Sequence, residues 1–209
     1  MARTVLSVIT AYLVGAIPTA YILARLFRGV DIRQHGSGNV GATNLARIMG
    51  KKAGIFVFIL DFAKGFVGVT VIPVLFFDLF RGSGSPAELM LVLSGGASII
   101  GHIWPVYLRF KGGKGVSTTA GVIAGLHPGI LLGSLVIWGI VFAVWKYVSL
   151  SSITAAIALP VLALATGQDL VFVIFSGILC ILGVYAHRKN IQRLLRGEET
   201  RIVKVKKSQ

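Results

Sequence analysis

Long runs of apolar residues, separated by short polar stretches, dominate this chain of 209 residues. Most of the runs have close to the roughly 20 residues that an α-helix needs to cross a bilayer. The pattern therefore predicts an all-α fold, a polytopic bundle of transmembrane helices. The seven runs are Thr4–Leu26, Ala53–Phe80, Ala87–Leu108, Val116–Leu126, Pro128–Trp145, Val148–Thr166 and Leu170–Ala186.

Lys and Arg residues indicate which loops face the cytoplasm, because cytoplasmic loops of membrane proteins are enriched in both. The loop after the first run is strongly basic, and we expect the first span to kink at Pro18. Hydropathy alone leaves the short run Val116–Leu126 undecided between a half-helix and a span. If it crosses, every Lys and Arg except Arg3 and Arg81 lies within the membrane or on the cytoplasmic side. The charges thus favour about seven spans, with the N-terminus outside and the C-terminus cytoplasmic.

Composition supports one integral membrane domain over residues 1–209. The chain is 55% hydrophobic and has a mean hydropathy of +0.84, which is too apolar for a soluble domain of this size. The net charge is +14, but the charge lies between apolar spans. Lipid headgroups and anionic substrates are therefore expected partners, and nucleic acid is not. The only cysteine, Cys180, lies in an apolar run and is expected to be a small buried hydrophobic residue.

Residues 109–118 combine cations with glycines in a way that suits phosphate. Glycine permits the backbone turns in which N–H groups converge, and a helix starting near Gly115 would add its N-terminal N–H groups. A merely cationic loop at a membrane surface is the alternative, although such a loop does not need three glycines in four positions. The residues involved are Arg109, Lys111, Gly112, Gly113, Lys114, Gly115 and Ser117.

A second polar loop, residues 36–47, follows the first span. Its glycines match the dinucleotide fingerprint, but no strand precedes them, so that match is weak. Short hydrogen-bonding side chains and an arginine fork suit a phosphorylated polyol. A helix-capping turn with the arginine on lipid phosphate is the alternative. The candidate residues are Ser37, Asn39, Thr43, Asn44 and Arg47.

The third motif, residues 187–199, follows the last apolar run, and its apolar residues recur with the spacing of a surface helix. His187 and Asn190 are three residues apart and share a helix face. The spacing alone leaves His187 open between a chemical and a structural role. All three motif loops lie on the cytoplasmic face in the predicted topology, which favours a cytoplasmic pocket for phosphorylated ligands.

Three polar residues within the spans are assigned structural or uncertain roles. Asp61 and Lys64 are three residues apart on one helix and are expected to form an ion pair. His102 lies on an apolar helix, where histidine more often satisfies a neighbouring backbone group than performs chemistry. The sequence has no metal-binding cluster of recognised spacing, so no metal and no cofactor are expected.

Over nearly its whole length the chain resembles the bacterial acyl-phosphate:glycerol-3-phosphate acyltransferase family, and the resemblance rests on three segments. They read GSGNVGATN, GHIWPVYLRFKGGKGVST and HRKNIQRLLRGEE. The resemblance implies a seven-span bacterial inner-membrane enzyme with its active site facing the cytoplasm. Such enzymes transfer a fatty acyl group from acyl phosphate to the 1-hydroxyl of glycerol-3-phosphate, giving lysophosphatidic acid and inorganic phosphate in phospholipid synthesis. A membrane transporter of phosphate esters is the alternative from the residues alone, although transporters usually show internal repeats and midplane sites.

The resemblance also implies roles for single residues. The family's acidic residue corresponds to Glu199, with Glu198 as the other candidate, and Glu199 is assigned a structural or uncertain role. Partners are glycerol-3-phosphate, fatty acyl phosphate and the lipid bilayer, with no obligate protein partner. Candidate catalytic residues are Lys114, His187 and Ser37. Candidate substrate-binding residues are Ser37, Asn39, Thr43, Asn44, Arg47, Gly112, Gly113, Lys114, Gly115, Ser117, His187 and Asn190.

Overall fold

A computed structural model describes residues 1–79 and 88–201 of the chain, and its regular structure there is helical throughout. Two short 3-10 turns, Ile32–Gln34 and Val106–Leu108, stand among the α-helices. The all-α prediction is confirmed. The helices are α1 (Ala2–Gly15), α2 (Thr19–Arg28), α3 (Ala42–Met49), α4 (Lys51–Leu79), α5 (Glu88–Ile103), α6 (Val116–Leu126), α7 (Pro128–Trp145), α8 (Val148–Ala165), α9 (Leu170–Ala186) and α10 (Arg188–Leu195).

Within residues 1–79 and 88–201, five helical segments are long and apolar enough to cross a membrane, which confirms a polytopic membrane protein. A sixth is added if α9 and α10, which meet at a bend of 58°, count as one broken span. Helix α6 has 11 residues, or about 16 Å of length, against a hydrocarbon core about 30 Å thick. The count of seven and the orientation of the termini stay predictions. The five segments are Ala2–Arg28, Lys51–Asp78, Glu88–Leu108, Pro128–Trp145 and Val148–Ala165.

The first apolar run is broken where the sequence predicts a kink. Helix α1 ends at Gly15 and α2 begins at Thr19, with Pro18 between them. Proline has no N–H to continue the helical ladder. Next to this break, the carbonyl of Ile17 accepts hydrogen bonds from the Thr19 N–H, at 3.0 Å, and from Lys64 Nζ, at 3.1 Å. Residues 80–87, which connect the second and third runs and include Arg81, lie outside the described residues.

The chain divides into two compact units, of which the first is Met1–Pro128. Within it, α4 packs against α1, α3, α5 and α6, and α1 also packs against α5. Glycines allow these helices to approach closely. A side chain at Gly15 would meet the carbonyl oxygen of Ser98, and one at Gly65 would meet the carbonyl oxygen of Thr118. Close backbone contact therefore fixes α1 against α5, and α4 against α6.

The second unit is Gly129–Gln209, and in it α8 packs against α9 while α10 contacts α9. Its buried apolar residues include Ile153 and Leu159 on α8 and Phe172, Phe175 and Leu179 on α9. The single domain predicted over residues 1–209 stays a prediction.

Candidate active site

The loop of residues 36–47 is organised around the side chain of Asn44. This side chain is 2% exposed, and its Nδ2 donates to the carbonyls of Ile32, His35 and Asn39 at 3.0–3.3 Å. Its Oδ1 accepts the N–H of Ser37 at 2.9 Å. Because both ends of the amide are engaged by backbone, the geometry supports a positioning role for Asn44, in place of the direct substrate contact that the sequence suggested.

The other candidates of this loop lie towards solvent. Ser37 and Thr43 are exposed, and Asn39 is half-buried. Arg47, on the last turn of α3, is exposed and has no carboxylate partner among the described residues. Its guanidinium is therefore open to an anionic ligand, and the fold holds the Ser37 backbone in place next to the same short helix.

A nearby arginine differs from Arg47 in this respect. Arg33 binds Asp31 through two nitrogens, with Nη2 at 2.6 Å from Oδ2. That hydrogen bond lowers the pKa of Asp31 to about 2, and the carboxylate raises the pKa of Arg33 in turn. Arg33 is thus largely neutralised by its own loop.

The glycines at 112 and 113 are required by packing against the end of α5. Their N–H groups donate to the carbonyls of Ile103, at 3.2 Å, and His102, at 3.0 Å. A side chain at Gly112 would meet the His102 carbonyl and the Pro105 ring, and one at Gly113 would meet the His102 imidazole. The expectation that these two N–H groups converge on a phosphate is therefore corrected, because backbone carbonyls already accept both.

The phosphate hypothesis for residues 109–118 then concerns Lys114 and the start of α6. Lys114 is half-buried, whereas Arg109 and Lys111 are exposed. Gly115 has φ of +81° and directly precedes α6, as expected for a glycine at this turn. The first helical hydrogen bond runs from the Thr119 N–H to the Gly115 carbonyl. The N–H groups before Thr119 on this first turn, that of the buried Ser117 among them, thus precede the hydrogen-bonded part of the helix.

The predicted ion pair between Asp61 and Lys64 is confirmed, with 2.9 Å between Oδ1 and Nζ. Both residues are buried, and so is His102, whose Nδ1 lies 3.8 Å from the same Oδ1. Thr19 donates its hydroxyl to that oxygen at 2.5 Å. These groups line a small cavity together with Gly112 and Gly113.

In the second unit, His187 is 3% exposed at the junction of α9 and α10. Its Nδ1 lies 2.8 Å from the Gly183 carbonyl, and since a carbonyl only accepts, Nδ1 carries the proton. A neutral His187 ring therefore has its lone pair on Nε2. Asn190 follows one turn later and is also buried.

The side chain of Glu199 connects α8 with α10 at one end of this unit. Its Oε1 accepts from Ser149 Oγ at 2.8 Å and from Asn190 Nδ2 at 2.7 Å, and its Oε2 accepts from Arg193 Nε at 2.7 Å. Burial alone would raise the pKa of Glu199, but the three donors outweigh it and lower the pKa. Glu198 is exposed, so Glu199 is the glutamate that matters structurally.

Sequence reasoning missed Thr19, Ser149 and Arg193, the three partners that complete these networks. Arg193 stands three residues after Asn190, so helical spacing alone could have placed both on the Glu199 side of α10. Thr19 and Ser149 carry no comparable signal, because small hydroxyl residues are common in transmembrane helices and their partners lie 42 and 50 residues away in the chain.

Comparison with known proteins fits these observations. The profile of the family described as glycerol-3-phosphate acyltransferase matches residues 5–197. A glycerol-3-phosphate acyltransferase of Staphylococcus aureus strain JH9 is 40% identical over 203 residues, which are 95% of this chain and 97% of the relative.

Two crystal structures of PlsY (YgiH), an integral membrane glycerol 3-phosphate acyltransferase, are similar to this chain at 42% identity. The glycerol 3-phosphate form has a TM-score of 0.84 and the match covers 96% of both chains. The lysphosphatidic acid form has a TM-score of 0.81, with 96% of this chain and 95% of the other covered. The chain therefore belongs to the glycerol-3-phosphate acyltransferase family, as the three motifs indicated.

Proposed function

We propose that this protein transfers a fatty acyl group from acyl phosphate to the 1-hydroxyl of sn-glycerol-3-phosphate. The products are lysophosphatidic acid and inorganic phosphate, and the reaction faces the cytoplasm at the inner membrane of a bacterium. Family membership makes the chain an acyltransferase that acts on glycerol-3-phosphate. The observation that carries the proposal structurally is Arg47, an exposed guanidinium without a carboxylate partner in the described residues, beside a loop that Asn44 holds in place.

The chemistry needs little more than alignment of two anions. The 1-hydroxyl oxygen attacks the carbonyl carbon of the mixed anhydride, a new ester bond forms, and the bond between that carbon and the phosphate oxygen breaks. The electron pair leaves with phosphate, and the hydroxyl proton passes to a base. Because acyl phosphate is already activated, proximity and stabilisation of the developing charge account for most of the catalysis.

The first unit supplies groups for both substrates in this proposal. Arg47 and the Ser37 loop hold glycerol-3-phosphate, since a planar fork binds a phosphate through two nitrogens. Lys114 contacts the phosphate that leaves, and the unbonded N–H groups at the start of α6 assist it. Gly112 and Gly113 serve the site by setting the path of the loop.

His187 and Asn190 lie in the second unit, and the family resemblance assigns both of them to the substrates. With Nδ1–H donated to Gly183, a neutral His187 has its lone pair at Nε2, which is the nitrogen that would accept the proton. The donor's own phosphate oxygen is the other candidate base. Asn190 is held by Glu199, which fixes the orientation of its side-chain amide.

The test is a direct assay with purified protein in detergent, where no sealed compartment exists. Protein, glycerol-3-phosphate and an acyl phosphate should together yield lysophosphatidic acid and inorganic phosphate in equal amounts. Acyl-CoA that carries the same fatty acyl group is the matched control donor. Turnover with acyl-CoA and none with acyl phosphate would overturn the proposal, and a requirement for sealed vesicles would favour a transporter.

A further inference from the structure

A buried polar cluster inside the first unit joins α2, α4 and α5. It lines a small cavity together with Gly112 and Gly113, which belong to the segment 109–118, called the glycine loop below. The cluster consists of Thr19, Asp61, Lys64 and His102, and the last three are each 8% exposed or less. All lie in segments apolar enough to span a membrane. Ionisable side chains at such positions are costly, and by default they indicate a structural or functional role.

The contacts of the cluster are centred on one carboxylate oxygen. Asp61 Oδ1 lies 2.9 Å from Lys64 Nζ, 2.5 Å from the Thr19 hydroxyl and 3.8 Å from His102 Nδ1. Lys64 also donates to the Ile17 carbonyl, which the break at Pro18 leaves without a helical partner. The ion pair and this carbonyl would be satisfied without a histidine, so His102 adds something else.

His102 connects the cluster to the glycine loop. Its carbonyl accepts the Gly113 N–H at 3.0 Å, and the Nε2 edge of its ring occupies the space that a Gly113 side chain would fill. Gly113 directly precedes Lys114. The imidazole therefore lies between the Asp61 carboxylate on one side and the backbone next to Lys114 on the other.

We propose that His102, oriented by Asp61 and Lys64, is a positioning residue. It fixes the position of the glycine-loop backbone at Gly113 and so places Lys114 against the leaving phosphate. This inference rests on the proposed function, because it uses the role given there to Lys114. A displacement of about 1 Å in a catalytic group can lower a rate by about 100-fold. A ring that fixes the neighbouring backbone is thus sufficient to control turnover without touching substrate.

The first experiment separates positioning from general folding. His102→Ala and Asp61→Asn should lower kcat by about 10-fold to 100-fold, while the dissociation constant for glycerol-3-phosphate, measured by calorimetry, stays unchanged because Arg47 is untouched. Loss of glycerol-3-phosphate binding in parallel with turnover would overturn the proposal, since it would indicate collapse of the whole site.

A second experiment uses the contact between the ring and Gly113. Gly113→Ala places a methyl group into the His102 imidazole, and should lower kcat further than His102→Ala does, by about 100-fold or more. Its φ is not in the left-handed region, so alanine is otherwise tolerated there. Removing the ring makes room for that methyl group, and the double variant His102→Ala with Gly113→Ala should recover to the level of His102→Ala alone.

Gly112→Ala is the matched control. Its methyl group would meet the His102 carbonyl and the Pro105 ring, neither of which His102→Ala removes. The pair Gly112→Ala with His102→Ala should therefore show no recovery. The proposal is wrong if His102→Ala keeps the wild-type kcat, or if the two double variants behave alike.

The same assays distinguish this inference from the function on which it rests. A wild-type protein without turnover on acyl phosphate contradicts the proposed function, and the inference with it. An active wild-type protein whose His102→Ala variant is equally active contradicts the inference alone. Thermal unfolding of each variant in detergent identifies those that fail to fold.

Discussion

At the scale of residues, the arginines of the first unit differ in what already neutralises them. Arg33 is bound by Asp31 within its own loop, whereas Arg47 is exposed without a carboxylate among the described residues. An exposed guanidinium on a short helix carries no obvious benefit for the fold. Its availability, together with its position beside the Ser37 loop, is the reason to assign it to a substrate phosphate.

Arg47→Lys should raise the KM for glycerol-3-phosphate and leave kcat comparatively unchanged, because lysine keeps the charge but loses the planar fork. Losing a whole charged contact with phosphate costs about 2–4 kcal/mol, or roughly 30-fold to 1,000-fold in affinity. Because lysine keeps the charge, the increase in KM should not exceed that range. Steady-state kinetics at saturating acyl phosphate measure the effect. Arg28→Lys is the control, because Arg28 is also exposed and belongs to no motif.

Lys114→Ala should instead lower kcat even when both substrates are saturating, because negative charge grows on the leaving phosphate during the reaction. Lys111→Ala, which removes an exposed charge from the same loop, is the matched control. If Lys114→Ala raised only the KM for glycerol-3-phosphate, and Arg47→Lys left that KM unchanged, the two phosphates would be assigned the wrong way round.

The residue types indicated the class of ligand, a phosphorylated compound, better than they indicated the role of each single residue. Serine, asparagine, arginine and lysine in glycine-rich loops indicated phosphate without any coordinates. The sequence could not show that Asn44 faces backbone, because an asparagine that pins a loop and one that binds a ligand look alike in one dimension. Gly113 poses the same problem, since the ring that excludes a side chain there comes from 11 positions earlier, at His102.

At the scale of elements, α8 and α10 are joined at one end by a single carboxylate. Glu199 connects Ser149 on α8 to Asn190 and Arg193 on α10, and α10 is only eight residues long. A helix of this length is not stable by itself in water. Its position therefore depends on Glu199 together with its contact with α9.

Glu199→Gln should lower the stability of the protein by about 1–3 kcal/mol, because it removes a buried charge that accepts three hydrogen bonds. The pKa of Glu199 in the folded state is lower than its ordinary value of 4.5. Its stabilisation is therefore complete above that value and is lost as the pH falls through the lower folded pKa. Thermal unfolding in detergent as a function of pH measures this.

The neighbouring Glu198→Gln is the control for that experiment, since Glu198 is exposed. It should leave the acid side of the stability profile as steep as in the wild type, whereas Glu199→Gln should flatten it. Equal slopes in the two variants would contradict the role given to Glu199.

Helix positions were largely predictable, because apolar runs and Pro18 act locally. Six of the seven predicted runs correspond to one helix each over most of their length, and the first is divided at Pro18 as expected. The ion pair of Asp61 and Lys64 followed from helical spacing alone. The tight approach of α4 to α6 through Gly65 did not, because it depends on which distant backbone lies opposite.

At the scale of the whole molecule, the number of spans depends on two short helices. Helix α6 has 11 residues and α9 has 17, so length alone does not establish that either crosses. The distribution of Lys and Arg favours crossing by both, because otherwise Lys146 or the basic C-terminal segment would lie outside. Hydropathy thus leaves α6 undecided, whereas the charge distribution favours a crossing, and labelling in a membrane tests that prediction.

Single cysteines in a Cys180→Ala background provide that experiment. In intact cells or oriented vesicles, cysteines at positions 127 and 168 should react with an impermeant thiol reagent from outside, and those at 37 and 190 only from the cytoplasmic side. Position 127 follows α6 directly, so it reports whether that helix crosses, while 168 reports on the turn before α9.

Ser37 is exposed and the wild-type Asn190 is buried, so labelling at 190 should be slow and is best compared after mild denaturation. Lys189→Cys, next to it and exposed, is the faster-reacting control for the same side. Outside labelling at 189 or 190 would separate His187 and Asn190 from the cytoplasmic loops by a membrane, and the acyl-transfer mechanism would then lose its second set of groups.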